Sequence, residues 1–170
     1  MPTPDYRVRR ATGDDVPATL DMKLAAWRET YATQRPASFF AAEAARRKQQ
    51  IDWWARGLAA GAELWIAEDP SGRIVGCAGA GPAQDDDGDA NLPFELQMLY
   101  VLEQAHGTGL GERLLDAAIG SKPALLWVLE DSPRARAFFH KHGFAPDGRR
   151  EPLTGLWAGL HEIRMVRRAG

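Results

Sequence analysis

A glycine-bearing turn between an extended segment and a helical one limits the possible folds of this chain more than any other feature. Residues 94–101 have the pattern of a β-strand, residues 104–109 read QAHGTG, and the segment from Leu110 keeps apolar side chains at helical spacing. A second apolar strand is predicted at residues 124–129, after Pro123. Strand, turn, helix and strand in this order predict a parallel crossover in a sheet.

The turn itself predicts an anion-binding site. Backbone N–H groups at the start of a helix, together with the positive end of the helix dipole, converge on an anion. Gly107 and Gly109 suit such a site because tight turns often need a positive φ and a side chain would block a diphosphate. A dinucleotide fingerprint would need glycine where Glu112 stands, and the chain has no Gly-Lys pair for a P-loop. The alternative interpretation is a loop without a ligand.

The rest of the chain predicts a succession of strands and helices that closes with a hairpin. Ser132 and Pro133 are typical of a helix N-cap and a first-turn proline. The further predicted elements are a strand at 6–10, a helix with an apolar stripe from Val16 to Tyr31, one more helix ending at Gly61, a hairpin at 63–68 and 73–81, a helix up to Gly143, and a closing hairpin that ends near 166.

Length and composition predict one globular domain over residues 1–170 and exclude several partners. The chain carries 21 basic and 23 acidic side chains, a formal net charge of -2, so no positive field favours nucleic acid. Cys77 is the single cysteine, the first ten residues lack a secretory apolar stretch, and no run approaches the roughly 20 apolar residues of a membrane span. We therefore expect a cytoplasmic protein with neither nucleic acid nor membrane as partner. The acidic run 85–87 lacks EF-hand spacing, and we expect no metal site.

Four segments of the sequence resemble the GNAT superfamily of N-acetyltransferases in order and spacing. They are residues 95–101 (ELQMLYV), 104–111 (QAHGTGLG), 126–130 (LWVLE) and 132–144 (SPRARAFFHKHGF). The resemblance implies an α/β fold (an α+β mixed sheet): a central mixed β-sheet of about seven strands, splayed between the fourth and fifth, flanked by about four helices. It also implies acetyl-CoA as co-substrate and a small-molecule amine or peptide amine as acceptor, and it leaves a homodimer open.

The resemblance implies which residues contact the cofactor. The backbone of the fourth strand would bind the pantetheine arm, and the turn would surround the pyrophosphate. Two positions depart from the family pattern, because His106 stands where arginine is common and Ser132 where asparagine is common. The implied cofactor-binding residues are Leu99, Val101, Gln104, His106, Gly107, Thr108, Gly109, Leu110, Gly111, Glu112, Ser132, Arg134 and Phe138.

Acetyl transfer also needs a neutral amine, because a free amine of the lysine type has a pKa of about 10.4. The resemblance suggests Glu95 as the base; the alternative is a solvated glutamate at a strand end. Relatives often use a tyrosine where this chain has Phe139, which cannot donate a proton. Water, Tyr100 or Tyr31 could substitute, and a thiol with a pKa of roughly 8.5 is a tolerable leaving group without full protonation.

Trp27 and Tyr31 lie on the apolar stripe of the first helix, where they either pack in the core or line an acceptor pocket. The sequence thus predicts an acetyl-CoA-dependent N-acetyltransferase, with a non-catalytic acyl-CoA-binding or sensing domain as the alternative.

Overall fold

Strands and helices follow one another along the chain much as the sequence predicts. The structure is a computed structural model, and it describes residues 3–83 and 92–169. The elements are β1 (Arg7–Arg10), α1 (Val16–Tyr31), α2 (Ala37–Ala45), α3 (Arg47–Ala59), β2 (Glu63–Glu68), β3 (Ile74–Pro82), β4 (Phe94–Val101), α4 (Leu110–Ile119), β5 (Ala124–Leu129), α5 (Pro133–Lys141), β6 (Ala145–Pro152) and β7 (His161–Arg167).

The strands form a mixed sheet in the hydrogen-bonded order β1-β2-β3-β4-β5-β7-β6. β4 and β5 run parallel with Glu95 opposite Leu125, and α4 connects them along the chain. β2 and β3 form the predicted antiparallel hairpin, and β7 pairs antiparallel with both β5 and β6. The predicted fold class, a GNAT-like mixed sheet of seven strands, is confirmed, while the splay between the fourth and fifth strands stays a prediction.

The described residues contain five helices, whereas the sequence predicted about four. The segment predicted as one helix ending at Gly61 is two helices, because the backbone of Arg46 leaves helical geometry at φ -87° and ψ 3°. Glu43 in α2 is buried and accepts hydrogen bonds from Arg46, at 3.3 Å, and from Gln50 in α3, at 3.1 Å. These bonds join the end of α2 to the start of α3.

The chain divides into two compact units, of which the first comprises residues 3–80 and 98–120 among those described. It holds β1 to β3, the end of β4, and helices α1 to α4. Among the described glycines of this unit, Gly76 in β3 has the least room for a side chain. A Cβ at Gly76 would lie 2.9 Å from Leu114 Cδ1 and 3.2 Å from the Tyr100 carbonyl oxygen, so this position admits no side chain without rearrangement.

The second unit comprises the described parts of residues 81–97 and 121–170. Its core contains Leu92, Leu125 and Val166, all buried, with Trp127 packed against them. Arg164 and Asp147 form an ion pair in which both side chains are largely buried, and Arg164 Nε donates to Asp147 Oδ2 at 2.7 Å. No helix within the described residues has the length and apolar character needed to cross a membrane. The single-domain assignment of residues 1–170 stays a prediction.

Candidate functional site

The turn between β4 and α4 adopts the backbone conformation that its glycines predict. The chain leaves β4 at Leu102, whose N–H donates to the Val75 carbonyl at 2.9 Å, and then forms a short 3-10 turn over Glu103–Ala105. Gly107 and Gly109 have φ values of 76° and 83°, in the left-handed region that favours glycine. α4 begins directly after Gly109, so the turn ends at a helix N-terminus.

A row of backbone donors is available along this turn. Among the described residues, the N–H groups of Gly107, Thr108, Gly109 and Gly111 have no hydrogen-bond partner. Thr108 orders the segment, because its hydroxyl donates to the Ala105 carbonyl at 2.5 Å. Gly107 and Gly109 are exposed, and a Cβ at either would meet nothing within 4 Å. Unpaired donors beside the positive end of α4 form a suitable site for a diphosphate. We call residues 106–112 the cradle.

His106 is hydrogen-bonded to the end of β4. Its Nε2 lies 2.9 Å from the Val101 carbonyl oxygen, and because a carbonyl only accepts, Nε2 carries the hydrogen. In the neutral ring Nδ1 is then an acceptor, and this buried atom has no hydrogen-bond partner in the part of the chain that the structure describes. The imidazole therefore joins the cradle to the strand that precedes it.

A carboxylate from α1 holds the start of the turn, a contact that the sequence did not predict. Glu29 Oε2 accepts a hydrogen bond from the backbone N–H of Glu103 at 2.6 Å. The two residues are 74 positions apart in the chain, so no local pattern could indicate the contact. Glu29 supplies the acceptor for the first N–H of the 3-10 turn, as an N-cap side chain does for a helix.

The other predicted cofactor-binding residues of β4, the turn and α4 differ in their exposure. Leu110 is buried and packs in the core, so only its main chain is available to a ligand. Glu112, in the first turn of α4, is partly exposed, and Gln104 is exposed. Leu99 in β4 is partly buried.

Trp27 lies at the centre of an aromatic cluster in the first unit. Its ring packs edge-on against Tyr31, at a centroid distance of 6.4 Å, and against Tyr100, at 6.1 Å, and it stacks on Phe39 at 6.0 Å. Removal of the Tyr100 phenol from solvent raises its pKa, the nearby Tyr31 adds to this effect, and a hydrogen bond with the Trp27 side chain opposes it. Tyr100 is therefore a neutral hydroxyl at physiological pH. The structure thus brings Trp27, Tyr31 and Tyr100 together.

Glu95 belongs to the second unit, on the half of β4 that pairs with β5. This residue is only 9% exposed, and Leu125 lies opposite it in the parallel register. The solvated glutamate of the alternative interpretation would be exposed, which Glu95 is not. The role of Glu95 as a base stays a prediction.

α5 carries the other predicted residues of the second unit. Ser132 occupies the N-cap position, as predicted, but its hydroxyl makes no capping bond; its carbonyl accepts from Arg136 N at 3.0 Å. Arg134 is exposed and Phe138 is partly buried. Phe139 is buried, and its ring centroid lies 5.3 Å from that of Phe138 and 5.9 Å from that of Phe144. A phenylalanine ring has no transferable proton.

Cys77 is buried, and burial raises its pKa to about 12, so its thiol stays protonated at neutral pH. Within residues 3–83 and 92–169, no cluster of histidine, cysteine or acidic side chains could hold a metal ion. The acidic run 85–87 lies outside the described residues.

Comparison with known proteins adds independent observations. A family model described as an acetyltransferase (GNAT) domain matches residues 60–146, just over half of the chain. A protein from Mycobacterium tuberculosis described as a probable N-acetyltransferase is 29% identical over 165 residues, covering 92% of this chain and 91% of its own.

Two solved structures share the fold at low identity. The PaiA N-acetyltransferase from Thermoplasma acidophilum, in complex with coenzyme A, has a TM-score of 0.70 at 15% identity, covering 97% of this chain and 99% of its own. The Salmonella typhimurium protein yncA, with its cofactor acetyl-CoA, has a TM-score of 0.67 at 18% identity, covering 96% and 94%.

Proposed function

The chain belongs to the GNAT family of acetyltransferases, and we propose that it transfers the acetyl group of acetyl-CoA to a primary amine. The observation that carries this proposal is the cradle. Its unpaired backbone donors, two glycines of positive φ and the N-terminus of α4 together suit the diphosphate of CoA. Solved relatives of the same fold hold coenzyme A or acetyl-CoA, which supports the same ligand here.

In this proposal the backbone of β4 binds the pantetheine arm. Leu99 and Val101 stand in the half of the strand that leads into the cradle. The Val101 carbonyl already accepts a hydrogen bond from His106, and a carbonyl oxygen has a second lone pair for a ligand donor. Arg134 and Phe138 on α5 are proposed as further cofactor contacts.

Glu95 is proposed as the general base. The acceptor ammonium must lose a proton before its nitrogen can attack the thioester carbon, and Glu95 would accept that proton directly or through one water. The new C–N bond gives a tetrahedral intermediate whose oxyanion the Leu99 N–H would stabilise. Its nitrogen loses a second proton to water as the C–S bond breaks, so the products are the neutral amide and the CoA thiolate.

Protonation of the thiolate is proposed to come from water. Phe139 carries no transferable proton, and the raised pKa of Tyr100 makes its phenol a weak acid toward a thiolate whose conjugate pKa is about 8.5. Tyr100 is better suited to donating a hydrogen bond than to losing its proton. Tyr31, whose pKa burial also raises, has the same property.

The test is release of CoA thiol with a panel of amines. We expect turnover with at least one primary amine, and Glu95→Gln should lower kcat by about 10²-fold or more, as removal of a general base does. Glu63→Gln, at an exposed strand position, is the matched control and should leave kcat unchanged. A normal rate in Glu95→Gln would remove Glu95 from the mechanism.

A non-catalytic acyl-CoA sensor is the second candidate. It is favoured by Phe139, because this residue cannot donate a proton to the leaving thiolate. A sensor keeps the cradle but needs no acid. Calorimetric binding of acetyl-CoA combined with no thiol release across the amine panel would support the sensor over the enzyme.

A further inference from the structure

A cavity of about 130 Å³ lies between α1, α2 and α3 in the first unit. Its lining residues belong to positions 20–50, whereas the cradle is formed by residues 106–112. Three of its walls are formed by the helices themselves, and its lining mixes apolar with charged side chains. The residues that matter are Lys23 and Trp27 of α1, Glu43 of α2, and Arg47 of α3.

Lys23 brings an unpaired cation to this cavity. Its Nζ lies 4.3 Å from the centroid of the Trp27 ring and 5.4 Å from that of Trp54, so the ammonium is held over two indole faces. Across the described residues, Lys23 has neither a hydrogen bond nor an ion pair. Three N–H donors of a largely desolvated ammonium are therefore without an acceptor.

The acidic groups around Lys23 are already engaged. Glu43 accepts hydrogen bonds from Arg46 and Gln50, and Asp21 accepts two from Arg47, at 2.7 and 3.0 Å. Cys77 faces the same region as a neutral thiol. Two cations, Lys23 and Arg47, and two anions, Asp21 and Glu43, line the cavity. Of these four, Lys23 is the one without a hydrogen bond or ion pair to any described residue, and the carboxylate of a ligand would supply that partner.

The shape and chemistry of the cavity select the kind of anion. Leu20, Leu24 and Trp27 supply apolar wall, so the ligand needs an apolar body beside its charged end. The cavity is too small for a nucleotide or a lipid. We propose that this cavity is a binding site for a small organic carboxylate, whose carboxylate group pairs with the Lys23 ammonium and whose apolar part lies against Trp27.

Binding is measured by calorimetry on the full chain without acetyl-CoA, so the result does not depend on acetyl transfer. The probes are isovalerate and phenylacetate, each compared with its neutral amide. We expect at least one carboxylate to bind, and its amide to bind about tenfold or more weakly, since a hydrogen bond to a charged group is lost.

Two variants locate the site. Lys23→Met keeps the length of the side chain and should weaken carboxylate binding by about tenfold or more. Lys48→Met, an exposed lysine of α3, is the matched control and should bind as the wild type does. Circular dichroism shows whether Lys23→Met folds. If it does not, the comparison of each carboxylate with its amide on the wild-type protein still tests whether the cavity recognises a negative charge.

Three outcomes would overturn the proposal. They are no binding of either carboxylate at tens of millimolar, equal binding of acid and amide, and unchanged affinity in folded Lys23→Met. The first excludes the ligand class, the second excludes charge recognition, and the third places the carboxylate elsewhere on the protein.

Discussion

Replacing Gly109 with alanine tests whether the turn after β4 works through its backbone conformation. Gly109 has φ 83° and ψ 0°, and an L-residue in this left-handed region costs about 1–2 kcal/mol. A Cβ there meets nothing within 4 Å, so the cost is conformational and not a clash within the protein. If the turn keeps its shape in the alanine variant, the free energy of unfolding falls by this amount. If the turn instead relaxes to another conformation, the affinity for CoA falls, because the backbone donors move.

We therefore expect the losses in unfolding free energy and in CoA binding free energy of Gly109→Ala to sum to about 1–2 kcal/mol. Loss of affinity alone would be roughly 5- to 30-fold. Urea unfolding measures the first quantity and calorimetry with CoA the second. Gly109→Asn should lose less, because asparagine tolerates the left-handed region.

Gly13→Ala is the control, since Gly13 lacks a positive φ and has open space around it. Unchanged stability and unchanged CoA affinity in Gly109→Ala would refute the assignment of the turn. A larger loss in Gly109→Asn than in Gly109→Ala would refute conformational strain as the cause, and would indicate that side-chain bulk obstructs the ligand.

Three further predictions concern stability and reactivity. Gly76→Ala should lower Tm by roughly 2–12 °C in calorimetry, because its Cβ would overlap Leu114 at a cost of about 1–3 kcal/mol; an unchanged Tm would contradict this. Hydrogen bonds from the Arg9 guanidinium lower the pKa of Asp15 to about 2, so this carboxylate stabilises the fold above pH 4 and loses that effect as pH falls toward 2. Asp15→Asn should accordingly lose about 1 kcal/mol at pH 7 but little near pH 2, by urea unfolding, and a pH-independent loss would be contrary evidence. Cys77 should not react with a disulfide reagent at pH 8 until the chain is unfolded, because burial raises its pKa to about 12; labelling of the native protein would argue against the packing of β3.

The sequence predicted the order of strands and helices well because each of these elements carries its own periodic pattern. The strand before the turn, the two glycines and the helix after it needed only local information, and the structure confirms the positive φ of Gly107 and Gly109. The break at Arg46 was missed, since apolar residues continue at helical spacing on both sides of it. Arginine gives no local signal for a helix end.

The long-range contacts around the turn and the cavity could not be predicted from local sequence patterns. Glu29 reaches Glu103 across 74 positions, and the ring of His106 turns back to Val101, a direction that no spacing indicates. Lys23 was also overlooked, because a lysine beside an apolar stripe is normally read as a solvated side chain whose tip extends to water. Only the packing of the three helices places its ammonium over Trp27.

Because Glu29 accepts the hydrogen bond from Glu103, the turn after β4 depends on a residue far from it in the sequence. A segment transplanted into another protein with only its flanking strand and helix would leave the acceptor behind, some 74 residues upstream. The first amide of the turn would then bond to water, and we expect the grafted loop to fluctuate more than the same loop in this protein.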